Sequence, residues 1–210
     1  MRIRVAPAAA LGSVAAEEVS LALRTVLATR GTASLAISGG RTPTSLFAVL
    51  AGSALPWSAI DVFQVDERIA PDGHPDRNLT SQKALFSAVS ARFHPMTVDP
   101  VDVAGYAARL PSHFDCVHLG LGDDGHTASL IPGDPVLQAD GPVALTGVYQ
   151  GRRRMTLTLP VLNRARAVVW LVAGASKRAV VARLLVGDPT IPAGRVTAPG
   201  VLVLDPEACP

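Results

Sequence analysis

Short aliphatic runs recur along this chain, at Ile3–Val5, Ser34–Ser38, Ile60–Val65, Cys116–Leu121, Ala167–Ala173 and Val201–Leu204. Several are apolar on successive residues. A strand with one face in water alternates apolar and polar side chains, so unbroken runs describe strands covered on both faces, as in a parallel sheet. Between the runs the apolar spacing is helical, over Leu11–Arg30, Pro43–Leu50, Leu79–Ser90, Val103–Leu110 and Ser176–Leu185. This alternation predicts an α/β fold: an open, mostly parallel, Rossmann-like sheet with helices on both faces. The 210 residues contain no repeat and no low-complexity linker, which predicts a single domain over 1–210. The Pro/Gly-rich pieces at 70–78, 132–142 and 187–200 read as loops at strand ends.

Hydrophobic residues make up 49% of the chain and aromatics only 4%, so the core is aliphatic. The net charge is +2, with 9 basic and 9 acidic residues in 1–105 and 10 and 8 in 106–210. Neither half is a polycation, and Arg152-Arg153-Arg154 is the one basic cluster, which argues against a nucleic-acid partner. No segment reaches the roughly eighteen uncharged apolar residues of a membrane span. Pro7 and Gly12 interrupt the first apolar run and Glu17-Glu18 follow it, so the opening reads as a strand and a helix and not as a leader. Cys116 and Cys209 have no metal-ligand spacing and read as reduced thiols of a cytoplasmic protein.

In sheets of this kind ligands gather at the carboxyl ends of the strands. The second run is followed by S-G-G-R-T-P, Ser38 to Pro43. Gly39 and Gly40 permit a tight turn beside Arg41, Thr42 reads as a helix N-cap and Pro43 as the first helical residue. Such a turn presents N–H groups to a phosphate, or is an ordinary strand–helix joint. The third run leads into Asp66-Glu67-Arg68, where Asp66 could act as a base or orient one and Arg68 could pair with phosphate or with Glu67. A solvated, ion-paired loop is the bland alternative.

After the fourth run stands G-L-G-D-D-G-H-T-A-S-L, Gly120 to Leu130. Its glycines match a dinucleotide-binding spacing, but Asp123 and Asp124 would place negative charge where a pyrophosphate lies. The dinucleotide reading fails on that point. Gly125 instead presents His126 at a sharp turn two residues after Asp124, a carboxylate able to fix an imidazole's tautomer, with Thr127 as a helix starter. Farther on, Arg154 opens R-M-T-L-T-L-P and Lys177 closes G-A-S-K after the fifth run. Gly39–Thr42, Arg154 and Lys177 could converge on one anion. His74 reads as an exposed loop residue, and His94, His113 and His118 have no partner spacing and receive no role.

In series, S-G-G-R-T-P, D-E-R, G-L-G-D-D-G-H-T-A-S-L, R-M-T-L-T-L-P-V-L-N, G-A-S-K and the closing L-V-L-D-P-E-A resemble the 6-phosphogluconolactonase family, in that family's order. The resemblance implies the fold of glucosamine-6-phosphate deaminases and hydrolysis of 6-phospho-D-glucono-1,5-lactone in the pentose phosphate pathway. It assigns His126 as general base, Asp66 and Asp124 to the ring end, and Gly39, Gly40, Arg41, Thr42, Arg68, Arg154 and Lys177 to the phosphate. The related deaminases carry a glutamate five residues after the histidine; this chain has Ile131 there, which favours the lactonase. A sugar-phosphate-sensing regulator is the rival from another class. No metal or cofactor is implied, because the ester carbonyl is already electrophilic, and no G-x-S-x-G serine elbow is present. Backbone amides of the glycine turn are expected to steady the oxyanion. The partner is a small sugar phosphate, and the working form a monomer or weak homodimer.

Overall fold

The computed structural model describes residues 1–40, 42–87 and 89–210. Among them the strands are β1 (Arg2–Val5), β2 (Ala33–Ile37), β3 (Ile60–Gln64), β4 (Asp66–Arg68), β5 (Arg92–His94), β6 (Cys116–Leu119), β7 (Val143–Leu145), β8 (Arg154–Leu157), β9 (Val168–Val172) and β10 (Gly200–Leu204). The helices are α1 (Leu11–Arg30), α2 (Thr44–Ala51), α3 (Asn78–Phe86), α4 (Val103–Arg109), α5 (Leu159–Asn163) and α6 (Arg178–Leu185). Seven strands form one sheet in the order β1-β10-β9-β6-β2-β3-β5. Every pairing in it is parallel.

The unbroken apolar runs have the cause expected of them. All residues of β2, β6 and β9 are buried, with Ala36 packed into a core on one face and Leu35 and Ile37 into a core on the other. Helices α1 and α2 cover the second face; Tyr106 of α4, Leu162 of α5 and Val181 of α6 cover the first. On α1 the inward stripe is Leu11, Ala15, Val19 and Leu23, four residues apart, so the side chains stack on one side of the helix. The helix stops at Gly31, whose φ of 78° is left-handed and whose N–H returns to the Leu27 carbonyl at 2.9 Å. This is an α/β fold with a parallel sheet and helices on both faces.

Several local expectations need correction. Asp66-Glu67-Arg68 is not a loop: it is strand β4 of a second, antiparallel sheet in the order β4-β8-β7. The chain crosses between sheets at Val65, whose N–H donates to Ile37 of β2 while its carbonyl accepts from Leu157. These strands of three or four residues are too short for apolar periodicity to reveal. No helix follows Thr127; its hydroxyl donates to the Gly120 carbonyl at 2.9 Å, and Thr127 and Leu130 form an isolated bridge. Helix α2 begins at Thr44, after Pro43 and without a side-chain cap from Thr42. Helix α3 ends at Phe86, short of Ser90.

The connectivity locates the ligand crevice. From β2 the chain moves toward one edge through β3 and β5, and from β6 it moves toward the other through β9 and β10. Adjacent parallel strands whose connections diverge leave a gap above their carboxyl ends. Here that gap lies between the turn after β2 and the turn after β6.

Candidate active site

A cavity of about 240 Å³ opens at this place. Its walls include Gly39, Gly40 and Thr42 from the turn after β2, and Asp66, Arg68 and Arg154 from the second sheet. Gly122 and His126 from the turn after β6 complete it, with Lys177 after β9. The residues singled out on the sequence therefore meet in one crevice, apart from two. Arg41 lies outside the described residues. Asp124 does not line the wall; it stands behind His126 and holds it.

The imidazole is fixed by a compact set of contacts. Asp124 Oδ1 lies 2.6 Å from His126 Nδ1 and also accepts the His126 backbone N–H at 3.0 Å. Its other oxygen accepts the Tyr149 hydroxyl at 3.0 Å. With the carboxylate on Nδ1, that nitrogen carries the proton and Nε2 is left as the basic one. Desolvation works to raise the Asp124 carboxyl, but the His126 N–H groups and the Tyr149 hydroxyl hold it below its ordinary range. It stays a carboxylate.

Two glycines make this arrangement possible. A Cβ on Gly122 would sit 2.0 Å from His126 Nδ1, so the ring packs directly on that backbone. Gly125 has φ 86°, and a Cβ there would meet Ile191 Cβ at 2.6 Å. The amides of this turn are already used: Gly122 donates to the His126 carbonyl, Gly125 to the Gly122 carbonyl, and His126 to Asp124. These three N–H groups are therefore engaged within the turn itself.

The other end of the cavity is cationic. Arg68 and Arg154 are directly opposite each other in the β4–β8 register, and Asp66 two residues away shares their face of the sheet. Like charges at opposed positions repel unless something anionic lies between them. The Arg154 guanidinium is buried, its Nε has no hydrogen-bond partner among the described residues, and desolvation pulls its pKa down despite the nearby Asp66. Among the described residues the Arg68 guanidinium pairs with no carboxylate, Glu67 included: it donates to the Asp76 carbonyl and to Asn78 Oδ1, both at 3.0 Å. Lys177 Nζ rests on Asp123 at 2.8 Å, and this contact holds the Asp123 carboxyl below its usual range. Lys177 follows a turn at Gly174 (φ 97°) whose N–H is held by Asp205, in the closing L-V-L-D segment.

Asp66 is buried, and burial pushes its carboxyl upward against the Ser129 hydroxyl, which donates to Oδ2 at 2.5 Å. Sequence reasoning passed over Ser129, although it lies inside the quoted H-T-A-S phrase. It also passed over Glu67 and Asn78. The fully buried Glu67 carboxylate accepts the N–H groups of Arg68, Asn78 and Leu79 and pairs with Arg77, anchoring β4 to α3. Asn78 wedges against Gly39, where a Cβ would come within 2.0 Å of its Oδ1, and donates to the Asp66 carbonyl. No sequence spacing marks either. Tyr149 had no signal at all.

The three consecutive arginines do not form a basic face. Arg154 turns into the cavity, Arg152 pairs with Asp76 at 2.9 Å, and Arg153 donates to the Thr146 carbonyl. His74, expected to be exposed, is two-thirds buried beside Asp76 and Arg152. His94 stacks on Phe63 and contacts Asp61 at 2.7 Å.

The sequence profile of the glucosamine-6-phosphate isomerase/6-phosphogluconolactonase family matches residues 6–204. The chain belongs to that family. Within the glucosamine-6-phosphate isomerase/6-phosphogluconolactonase family, a 6-phosphogluconolactonase of Synechocystis sp. is 40% identical over 178 residues, 76% of this chain and 74% of that protein. The crystal structure of 6-phosphogluconolactonase from Thermotoga maritima matches with a TM-score of 0.89 at 24% identity, over 97% of this chain and 99% of the other. A monomeric glucosamine-6-phosphate deaminase matches with a TM-score of 0.85 at 17% identity, over 99% of this chain and 98% of the other. The backbone is thus common to both branches of the family, and only side chains can separate them. Among the described residues no helix is long and apolar enough to cross a membrane.

Proposed function

We propose that this chain hydrolyses 6-phospho-D-glucono-1,5-lactone to 6-phospho-D-gluconate, with His126 as general base. The observation that carries the reading is that His126, held from behind by Asp124, lines the same cavity as Arg68, Arg154 and Lys177. Such a cavity suits a ligand with a phosphoryl group at one end and an electrophilic carbon at the other.

In the proposed reaction Nε2 of neutral His126 takes a proton from a water molecule as its oxygen attacks C1 of the lactone. The tetrahedral intermediate collapses by breaking the bond between C1 and the ring oxygen. The imidazolium returns its proton to that oxygen, which becomes the C5 hydroxyl, and the new carboxylic acid ionises in water. Asp124 stabilises the transient imidazolium and keeps the base on Nε2. A placed base of this kind contributes about 10²–10⁴-fold. Gly39, Gly40, Thr42, Arg68, Arg154 and Lys177 hold the phosphoryl end and set C1 against the base; they take no part in bond making. Arg41 belongs to the same proposed end. Asp66, anchored by Ser129, is placed to hydrogen-bond a ring hydroxyl.

Residue 131 favours this branch over the deaminase, because Ile131 is buried and has no group that could transfer a proton. A binding-only regulator would have no use for a carboxylate-fixed imidazole. The same reading has the chain act without a cofactor, in the cytoplasm, as a monomer or weak homodimer and as one domain. The test is the rate of acid release from freshly prepared lactone, above spontaneous hydrolysis, beside ammonia release from glucosamine 6-phosphate. Acid release without ammonia release is expected. Acid release no faster than in buffer overturns the proposal.

A further inference from the structure

Behind the cavity wall stands a side chain that touches a lining residue of each end, His126 and Arg154. Tyr149 sits at the tip of the β7–β8 hairpin, where Tyr149 and Arg152 bridge across Gln150 and Gly151. Both central residues have positive φ, 51° and 78°, which gives the tight turn whose twist suits a hairpin. Glycine adopts that backbone freely and glutamine does not, so a non-glycine residue at the first position calls for a compensating contact. Gln150 has one: its Oε1 accepts from Arg154 Nη2 at 3.1 Å.

The tyrosine touches both ends. Its hydroxyl lies 3.0 Å from Asp124 Oδ2 and 3.5 Å from His126 Nδ1, so its proton goes to the carboxylate and not to the imidazole. Its ring meets the His126 ring edge-on at 5.5 Å between centroids, and the Arg154 guanidinium lies over it 5.0 Å from its centroid. Burial and the neighbouring Asp124 carboxylate both raise the phenol, which therefore remains a donor throughout the neutral range. Without that donor the Asp124 carboxylate is held through Oδ1 alone, by the His126 backbone N–H and Nδ1, and its rotation about that oxygen is less restricted.

We propose that Tyr149 is a positioning residue that locks the Asp124 carboxylate onto His126 Nδ1 and, through its ring, ties that pair to Arg154. This rests on the lactonase reading only for its kinetic consequence. The hydroxyl would act on turnover, because it sets the imidazole. The ring would act on substrate capture, because it supports the arginine proposed to meet the phosphoryl group. A guanidinium over an aromatic face is stabilised modestly where it is exposed and more where it is desolvated, and Arg154 is buried.

The test separates these two parts. Tyr149→Phe removes the hydroxyl and keeps the ring; Tyr149→Leu removes both. Expected for Tyr149→Phe is a kcat lower by about tenfold, as for one lost hydrogen bond to a charged group, with KM unchanged. For Tyr149→Leu, kcat falls at least as far and KM rises several-fold as well. The second readout needs no lactone: ¹⁵N NMR of the His126 ring. In the wild type it should report a single tautomer with the proton on Nδ1, and in Tyr149→Phe a mixture. Inorganic phosphate should perturb the ring signals in the wild type and do so less in Tyr149→Leu. An unchanged tautomer together with unchanged kcat in Tyr149→Phe overturns the proposal. So does a parallel loss of kcat, substrate affinity and melting temperature in both variants, which would make the residue merely structural. If the wild type fails to hydrolyse the lactone, the lactonase reading falls, while the NMR comparison still decides the role of Tyr149.

Discussion

Gly122→Ala is the sharpest probe of the carboxylate–imidazole pair, because it removes no reacting group and displaces the imidazole against its carboxylate. The added Cβ would lie 2.0 Å from His126 Nδ1, 2.2 Å from Cε1 and 2.7 Å from Asp124 Oδ1. Non-bonded heavy atoms settle at about 3.5 Å or more, so the ring must retreat by roughly 1.5 Å. Directed away from the new Cβ, that displacement stretches the 2.6 Å Nδ1–Oδ1 separation to the edge of hydrogen-bonding range. A misplacement of about 1 Å is worth on the order of 10²-fold, and the whole contribution of a general base is about 10²–10⁴-fold. The expected kcat is therefore about 10²–10³-fold below wild type, approaching the floor set by His126→Ala, with KM little changed. Folding should survive. Gly122 is not among the left-handed glycines, so alanine fits its backbone, and the clash falls on a side chain that can swing outward. Gly125 is a poorer probe, since its φ of 86° strains any other residue. Steady-state kinetics on fresh lactone, with circular dichroism as a control for folding, makes the measurement. A folded Gly122→Ala protein with kcat within threefold of wild type would refute the claim that the ring must stand where it does.

Lys177→Ala should raise KM by about ten- to a hundredfold, the worth of one contact to a charged group, and leave kcat nearly intact; a fall in kcat alone would remove Lys177 from phosphate binding. Asp66→Asn should cost activity and gain stability. Burial raises the Asp66 carboxyl in the folded state, so its stabilising contribution is complete at acid pH and is lost as pH rises through that raised value. The melting-temperature advantage of the asparagine variant should accordingly widen from acid to neutral pH, and a gap that is constant or narrows would contradict this. His118, with both ring nitrogens buried and without hydrogen-bond partners among the described residues, has its pKa pushed down to about 3 by desolvation. It favours the fold above the ordinary histidine value near 6.5, and that stability is lost as pH falls toward 3. His118→Leu should flatten the decline of melting temperature between about pH 6.5 and 4; an unaltered slope would show that the ring is not kept neutral.

What the sequence made legible follows from which forces have a period. The buried strands β2, β6 and β9 were readable because two-sided burial imposes apolar character on every residue of each. Helix α1 was readable from the helical spacing of its apolar residues over Leu11–Arg30. Strands β4 and β7 have three residues each, and what defines them is pairing with β8, which no local pattern records. The site divides in the same way. His126, Lys177 and Asp66 stand within a few residues of the carboxyl ends of β6, β9 and β3, and their chemistry is unusual there. Glu67 and Asn78 act through contacts to N–H groups and carbonyls ten or more positions away, and Tyr149 reaches Asp124 across 25 positions. Such contacts leave no spacing in the chain.

The two sheets together explain how one cavity can hold an imidazole and a cationic end without their neutralising or displacing one another. His126 is carried by the turn after β6, on the main sheet, and is held by Asp124 from its own turn. Arg68 and Arg154 are carried by the antiparallel sheet, on opposed positions of one pair of strands. Glu67 then fixes that sheet to α3, and Val65 fixes it to β2, so the arginines are placed relative to the main sheet by buried contacts and not by loops. Groups held by separate rigid elements keep their spacing when a charged ligand arrives, and that is the condition under which binding energy at a phosphoryl group can be used at a carbonyl several bonds away. A cation and a base carried on one flexible loop would instead move with the ligand. The burial of Glu67, three positions after the last residue of a main-sheet strand, is therefore as much a part of the site as the imidazole.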